Sequence, residues 1–448
     1  MGAIAVIRLS GEGSAALTDQ IFRSPSGKKL AEAAANTVHF GRIRSGGEVL
    51  DEVLVTLFHA PHSFTGEESV EISCHGSVFI QQKMMELLLA RGARMAQAGE
   101  FTRRAFRNGK FDLSQAEAVA DLIASSSRAS HRVAMNQMRG GFAQKLTLLR
   151  DKLLQFVSLI ELELDFSEED VEFANRDKLH ELTHEIEEES VRLTDSFRLG
   201  NAIKSGIPVA IIGETNAGKS TLLNLLLNEE RAIVSDIHGT TRDVIEDVVN
   251  MEGVTFRFID TAGIRQTTDT IETLGIERTY RKIEQASIIL WMIDLTTPVG
   301  KIETLAASLI SRMKEKHLIL LFNKADLISK EQRESFETIL PEVKADRLFI
   351  SAKQHLNTGQ LQQLLVNAAG IPAIGEEDLI VTNLRHYEAL NNALEAIHRV
   401  KQGLETGITH DFISQDIREC MFYLGEITGQ ISNDEILGNI FSKFCIGK

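Results

Sequence analysis

Hydrophobic and polar positions divide the chain into four stretches with different periods. In the opening stretch, short apolar runs lie between turns rich in Gly, Ser and Pro. VLVTLF (53–58) and VEIS (70–73) read as half-buried strands, and Phe79–Arg91 has the apolar spacing of a helix, so this part is mixed α/β. From about Ser114 to Leu199 the pattern turns helical and strongly charged, and LLQFVSLIELEL (153–164) sets apolar residues three and four apart. GNAIKSGIP (200–208) then breaks the period with glycines and a proline. Between 207 and 371 the apolar runs no longer alternate with polar residues. VAIIG (209–213), FRFID (256–260), IILWMID (288–294), LILLFN (318–323) and LFIS (348–351), separated by helical stretches, have the pattern of a parallel sheet buried on both faces. After GIPAIG (370–375) the chain is helical to its end.

These changes of period predict boundaries at 1–110, 111–205, 206–372 and 373–448. Neither helical stretch makes an evident domain alone. The simplest arrangement packs the two together with the third stretch inserted between them, since domain termini usually lie close in space. The expected fold class is α/β plus α and multidomain: an N-terminal α/β domain, a discontinuous helical domain, and an inserted P-loop, Ras-like domain with a mostly parallel sheet.

Composition agrees with several cores. The 448 residues exceed one ordinary core, and 43% hydrophobic with 25% charged content is that of a globular chain. No apolar run approaches the roughly 18 residues of a membrane span, and the opening MGAIAVIRLS has no charged n-region or cleavage site, so it does not read as a secretory signal. Cys74, Cys420 and Cys445 are too few and too scattered for a four-cysteine zinc site and fit a reducing compartment, so the cytoplasm is expected. The formal net charge of −15 is uneven. Residues 1–150 hold 18 Lys and Arg against 14 Asp and Glu, whereas 151–205 hold 6 against 15. The cluster Arg103, Arg104, Arg107 and Lys110 could meet a phosphate backbone or form a solvated face, and the sequence leaves both open.

The strongest chemical signal is GETNAGKS (213–220), after the apolar strand 207–212 and before the helical stretch 221–227. This is the P-loop pattern in its required context. Asn216, Ala217 and Gly218 shape a loop whose N–H groups turn toward phosphates, and the helix N-terminus that begins near Thr221 adds partial positive charge. Lys219 would reach the β- and γ-phosphates and Ser220 would bind Mg2+. NKAD (323–326) follows an apolar strand, which places Asn323 and Lys324 beside the base and lets the Asp326 carboxylate accept bonds from guanine N1–H and its 2-amino group. Adenine offers neither donor, so it would leave a buried carboxylate unsatisfied. Ser351, Ala352 and Lys353 supply a second wall, with a backbone N–H for guanine O6. The predicted nucleotide is GTP. Asp260, Thr261, Ala262 and Gly263 end another strand, with Asp260 in the Mg2+ shell and the glycine N–H toward the γ-phosphate. GTTRD (239–243) lies where a switch segment belongs and offers Thr241 as a Mg2+ ligand. Ile264 occupies the place of the water-orienting glutamine of small signalling GTPases and cannot do that work.

Together with SFTGEE (63–68), CHG (74–76), GEFTRRAF (99–106), KFDLSQAEA (110–118), GTTRD and the final FCIGK (444–448), these motifs resemble the tRNA-modification GTPases known as MnmE or TrmE, over nearly the whole chain. The resemblance implies a folate-binding N-terminal domain that also dimerises. It implies GTP hydrolysis switched on when two G domains of a homodimer meet around K+. It further implies addition of a carboxymethylaminomethyl or aminomethyl group to C5 of a tRNA wobble uridine, with a tetrahydrofolate derivative (5-formyl- or 5,10-methylenetetrahydrofolate) as one-carbon donor. The implied partners are tRNA and an FAD-dependent protein, MnmG (GidA), in a heterotetramer. By the same resemblance, Asn216 with Ser235, Ile237 and Thr240 holds K+, and Asp236, His238 and Gly239 complete the nucleotide-facing switch. Glu272 positions the attacking water in place of the missing glutamine, and Arg8, Glu71, Lys110 and Lys448 bind folate. Members of this family usually carry a further strand and a Pro/Gly loop ahead of the stretch equivalent to Gly2–Arg8, a departure in this sequence.

Cys445 fits a prenylation box poorly, because Gly447 and Lys448 follow at the wrong positions. A thiolate near basic groups could attack the uridine ring; a packing or redox role is the alternative. Cys74 and His75 read as packing and turn residues, with no orienting carboxylate at a diagnostic spacing. Two other functions stay open at this level: a regulatory GTPase of the ribosome-assembly type, and a folate-dependent one-carbon transferase acting on another substrate.

Overall fold

The computed structural model describes residues 2–165, 176–230, 246–259, 280–313, 316–372, 375, 378–406, 410–431, 434–442 and 444. The chain separates into two compact units. Met1–Ile123, Asn136–Ser190 and Glu388–Lys448 make the first, and Ala124–Met135 with Val191–Tyr387 make the second. No helix among the described residues is long and apolar enough to cross a membrane.

The first unit opens with an antiparallel sheet of β1 (Ile4–Ser10), β2 (Phe22–Arg23), β3 (Val38–Ser45), β4 (Glu48–Phe58) and β5 (Ser69–His75), in the order β1-β5-β4-β3-β2. Alternation sorts its faces. Val53, Val55 and Leu57 of β4 and Val70, Ile72 and Cys74 of β5 are buried in one cluster with Met84 and Leu88 of the helix Val78–Leu89. The other face carries Ile4, Val6, Val38, Phe40 and Leu54, each about half exposed or more, with Arg8 opposite Glu71 in the β1–β5 register. The helices Gly141–Asp165 and His410–Thr428 of the same unit pack along each other, and Cys420 is wholly buried. Phe441 and Phe444 close the apolar cluster built on Leu113 and Ala116.

The second unit holds a six-stranded sheet of β6 (Ile207–Gly213), β7 (Asp247–Met251), β8 (Val254–Phe258), β9 (Ile288–Asp294), β10 (His317–Asn323) and β11 (Asp346–Phe349), in the order β11-β10-β9-β6-β8-β7. Every pairing is parallel except β7 with β8. The unbroken apolar runs have a direct cause. On β10, Ile319 and Leu321 enter one core layer and Leu318, Leu320 and Phe322 the other, and β9 splits the same way.

Two details depart from the sequence reading. β7 was not legible as a strand; it joins β8 through a tight turn at Glu252 and Gly253, with φ 51° and 83°. The helix Arg176–Ser205 runs through Gly200 instead of ending there. Gly200 serves close approach: a Cβ at that position would lie 2.0 Å from the Val381 carbonyl oxygen.

Candidate active site

Three loops meet at the carboxyl ends of β6, β10 and β11, the end of an open α/β sheet where ligands bind. After β6 the chain turns through Asn216, whose φ of 66° lies in the left-handed region that asparagine tolerates, and enters the helix Lys219–Glu230. The Lys219 ammonium donates to the carbonyls of Gly213 (2.8 Å) and Glu214 (2.6 Å). Burial, together with the positive charge of Lys282, holds its pKa below the ordinary lysine value. The loop thus keeps a poorly solvated cation in the concavity where a phosphate would relieve it.

Asn323 ties this loop to the third one. The side chain is buried; its Nδ2 donates to the Ala217 carbonyl (2.7 Å) and its Oδ1 accepts from the Ala352 N–H (3.0 Å). The contact requires Gly218, because a Cβ there would sit 2.2 Å from Asn323 Nδ2. Lys324 takes φ 66° and reaches back to Asp294. Asp326 stands exposed on the turn Ala325–Leu327, Ser351 and Ala352 are buried, and Lys353 is exposed. The structure therefore gathers Asn216, Ala217, Gly218, Lys219, Ser220 and Thr221 with Asn323, Lys324, Ser351 and Ala352. Ser235, Asp236, Ile237, His238, Gly239, Thr240, Thr241, Asp260, Thr261, Ala262, Gly263 and Glu272 lie outside the described residues, as do Cys445 and Lys448. The Ser220 hydroxyl is a hard oxygen donor of the type Mg2+ takes.

In the first unit, Arg8 and Glu71 are brought together as a half-buried ion pair, Nε to Oε1 at 2.8 Å. The Arg8 guanidinium also lies 5.3 Å from the Phe64 ring centroid and 5.7 Å from that of Phe101. Lys110 donates to the Pro61 carbonyl at 3.0 Å, and its neighbour Phe111 packs edge-on against Phe64. A cavity of about 560 Å³ opens beside β1, lined by Arg8, Ser10, Leu88, Leu89, Phe101 and Arg104.

Sequence reasoning missed two polar clusters here. The buried Glu100 carboxylate binds Arg94 and Arg104, and Arg104 continues to Glu67 at 2.9 Å. Arg104 is thus committed internally, which takes it out of the cluster with Arg103, Arg107 and Lys110. His75, which seemed to lack an orienting carboxylate, has one in Asp51, with Nδ1 2.7 Å from Oδ1 and its backbone N–H 2.9 Å from Oδ2. Asp51 is 24 positions away in sequence, so no local motif announces it. Cys74 is buried, which raises its thiol pKa.

Glu100 supports a stability prediction. The Arg94 hydrogen bond, outweighing the opposing effect of burial, and further donors from Gln97 and Arg104 lower its pKa from 4.5 to about 2. A carboxyl depressed in the folded state stabilises above its unfolded pKa and loses that contribution as pH falls toward the folded one. Glu100→Gln is expected to cost about 2–3 kcal/mol at pH 7. The gap from the parent should close between pH 4.5 and about 2, as read from paired thermal melts; a gap independent of pH would remove the charge from the explanation.

A strand, phosphate loop and helix, latched by one asparagine to two base-end loops, define a P-loop GTPase domain, and the same chain also holds a separate sheet and long helices. The chain belongs to the MnmE (TrmE) family of tRNA modification GTPases. Residues 113–445 match the profile of the MnmE helical domain and residues 1–110 that of the GTP-binding protein TrmE N-terminus. The tRNA modification GTPase MnmE of Bacteroides thetaiotaomicron is 61% identical over 451 residues, spanning 100% of this chain and 97% of that protein. The Flavobacterium johnsoniae protein of the same name is 53% identical over 452 residues, with the same coverage. Among solved structures, a single-residue variant of Aquifex aeolicus Era bound to GDP.AlF4- shares 27% identity over 42% of this chain and 66% of its own, with a TM-score of 0.29. The protein is a GTP hydrolase of tRNA modification that binds GTP with Mg2+.

Proposed function

We propose that this GTPase acts as a K+-dependent homodimer in the cytoplasm. With an FAD-dependent partner of the MnmG (GidA) type and a tetrahydrofolate one-carbon donor, it adds a carboxymethylaminomethyl or aminomethyl group to C5 of the tRNA wobble uridine. The carrying observation is that the likeness to named tRNA modification GTPases runs through the N-terminal, helical and nucleotide-binding stretches alike. The domain limits 1–110, 111–205, 206–372 and 373–448 belong to this reading.

Other features support its parts. Asn216 stands exposed in the phosphate loop, where its amide oxygen suits a hard monovalent cation beside Ser235, Ile237 and Thr240. The apolar sheet face of Ile4, Val6, Val38, Phe40 and Leu54 is of a kind that a second copy would cover. On that face Arg8 and Glu71 offer a cation and a carboxylate to a ligand bearing both acidic and N–H groups, with Lys110 nearby and Lys448 assigned by resemblance. Glu272 is assigned the positioning of water, since Ile264 cannot do it. Cys445 is assigned to the modification step as a thiol nucleophile.

The test is mass spectrometry of tRNA nucleosides from a strain lacking the gene. The modified wobble uridine should disappear and return on complementation, and GTP hydrolysis by the purified protein should be faster in K+ than in Na+. Unchanged wobble uridines would remove the leading reading in favour of a regulatory GTPase.

A further inference from the structure

Asp294 closes β9 at the end where the nucleotide loops gather, directly beside Asn323 in the β9–β10 register. Its side chain is 12% exposed, and three donors converge on it. The backbone N–H and hydroxyl of Thr296 reach Oδ1 at 2.9 Å and 2.7 Å, and the Lys324 ammonium reaches Oδ2 at 2.5 Å. Burial opposes the charged form, yet the Lys324 and Thr296 donors outweigh it and keep the carboxyl pKa below the ordinary aspartate value. Lys324 lies between the latch residue Asn323 and the guanine-reading Asp326. Its backbone is held at φ 66° at one end and its ammonium by Asp294 at the other, so the four-carbon stem between them cannot swing freely. A stem held at both ends, with its charge neutralised, is a flat apolar surface at the base end of the nucleotide site.

We propose that Asp294 is a positioning residue for guanine nucleotides: it pins Lys324 so that the lysine stem forms one wall of the base pocket, while Asp326 reads the base edge. The ligand class is a guanine nucleotide regardless of phosphate number, because the pair acts at the base end and Lys219 at the phosphate end. The device should therefore govern how tightly GTP and GDP are held and leave the chemical step alone.

Asp294→Asn isolates the contact, since the amide oxygen can still accept both Thr296 bonds while the charge and the acceptor facing Lys324 are replaced by an NH2 donor. On the full-length protein, this variant is expected to raise Kd for GTP and for GDP by a similar factor, roughly five- to thirty-fold. KM should follow while kcat at saturating GTP holds, and Asp294→Glu should recover part of the loss. In a Lys324→Ala background, Asp294→Asn should add little, because both changes remove one interaction. Lys324→Met breaks the same contact from the other side and should reproduce the weakened binding if the Asp294 variant folds poorly. Wild-type affinity in Asp294→Asn, or a full additional effect in the Lys324→Ala background, overturns the proposal and leaves Asp294 as a strand-end cap.

Discussion

Asn323→Ala is expected to unlatch the nucleotide site and lower stability in one step. The side chain satisfies the Ala217 carbonyl of the phosphate loop and the Ala352 N–H of the base-end loop, at 2.7 Å and 3.0 Å. Alanine leaves both without a partner in a buried place, and each such group costs about 1–3 kcal/mol. A loss of about 2–6 kcal/mol follows, with a fall in GTP affinity on the order of a hundredfold as the two loops lose their common reference. Chemical denaturation and nucleotide titration read the two effects separately. Unchanged affinity in a destabilised variant would show that the loops hold their positions without the latch.

Lys219→Met should show the opposite balance. The ammonium sits in a poorly solvated place, with burial and Lys282 working against its charge. Methionine keeps most of the volume and removes that cost along with two hydrogen bonds to loop carbonyls. Without nucleotide, the variant should therefore melt within about 1 kcal/mol of the parent. On the proposed role of Lys219 against the developing phosphate charge, GTP turnover should fall by roughly a thousandfold. The pH dependence is signed as well: a lysine depressed in the folded state disfavours folding below its unfolded pKa, so the parent should gain stability relative to Lys219→Met as pH rises. Full turnover in the methionine variant would separate this lysine from the chemistry.

What the sequence made legible was local. GETNAGKS, NKAD and SAK are contiguous strings whose spacing is their chemistry, and the three loops that carry them do meet at one end of the sheet. The strands β6, β9 and β10 were equally plain, because burial on both faces leaves an unbroken apolar run. The latch itself was not legible: Asn323 was identifiable, but its partners Ala217 and Ala352 lie 106 and 29 positions away and contribute only backbone atoms. Asp51 and Glu100 were invisible for the same reason, since their partners converge through the sheet and across turns. β7 escaped because a half-exposed edge strand with Val248 outward carries little pattern. Gly200 misled, as a glycine can mark close packing as well as a helix end.

Burial shields both cysteines among the described residues from thiol reagents in solution. Cys74 lies inside the sheet core, and Cys420, at 0% exposure, has its thiol pushed up to about 12. Neither offers a thiolate or an approach path to a modifying reagent while the fold holds. A fluorophore, spin label or crosslinker applied under native conditions therefore meets no background from Cys74 or Cys420.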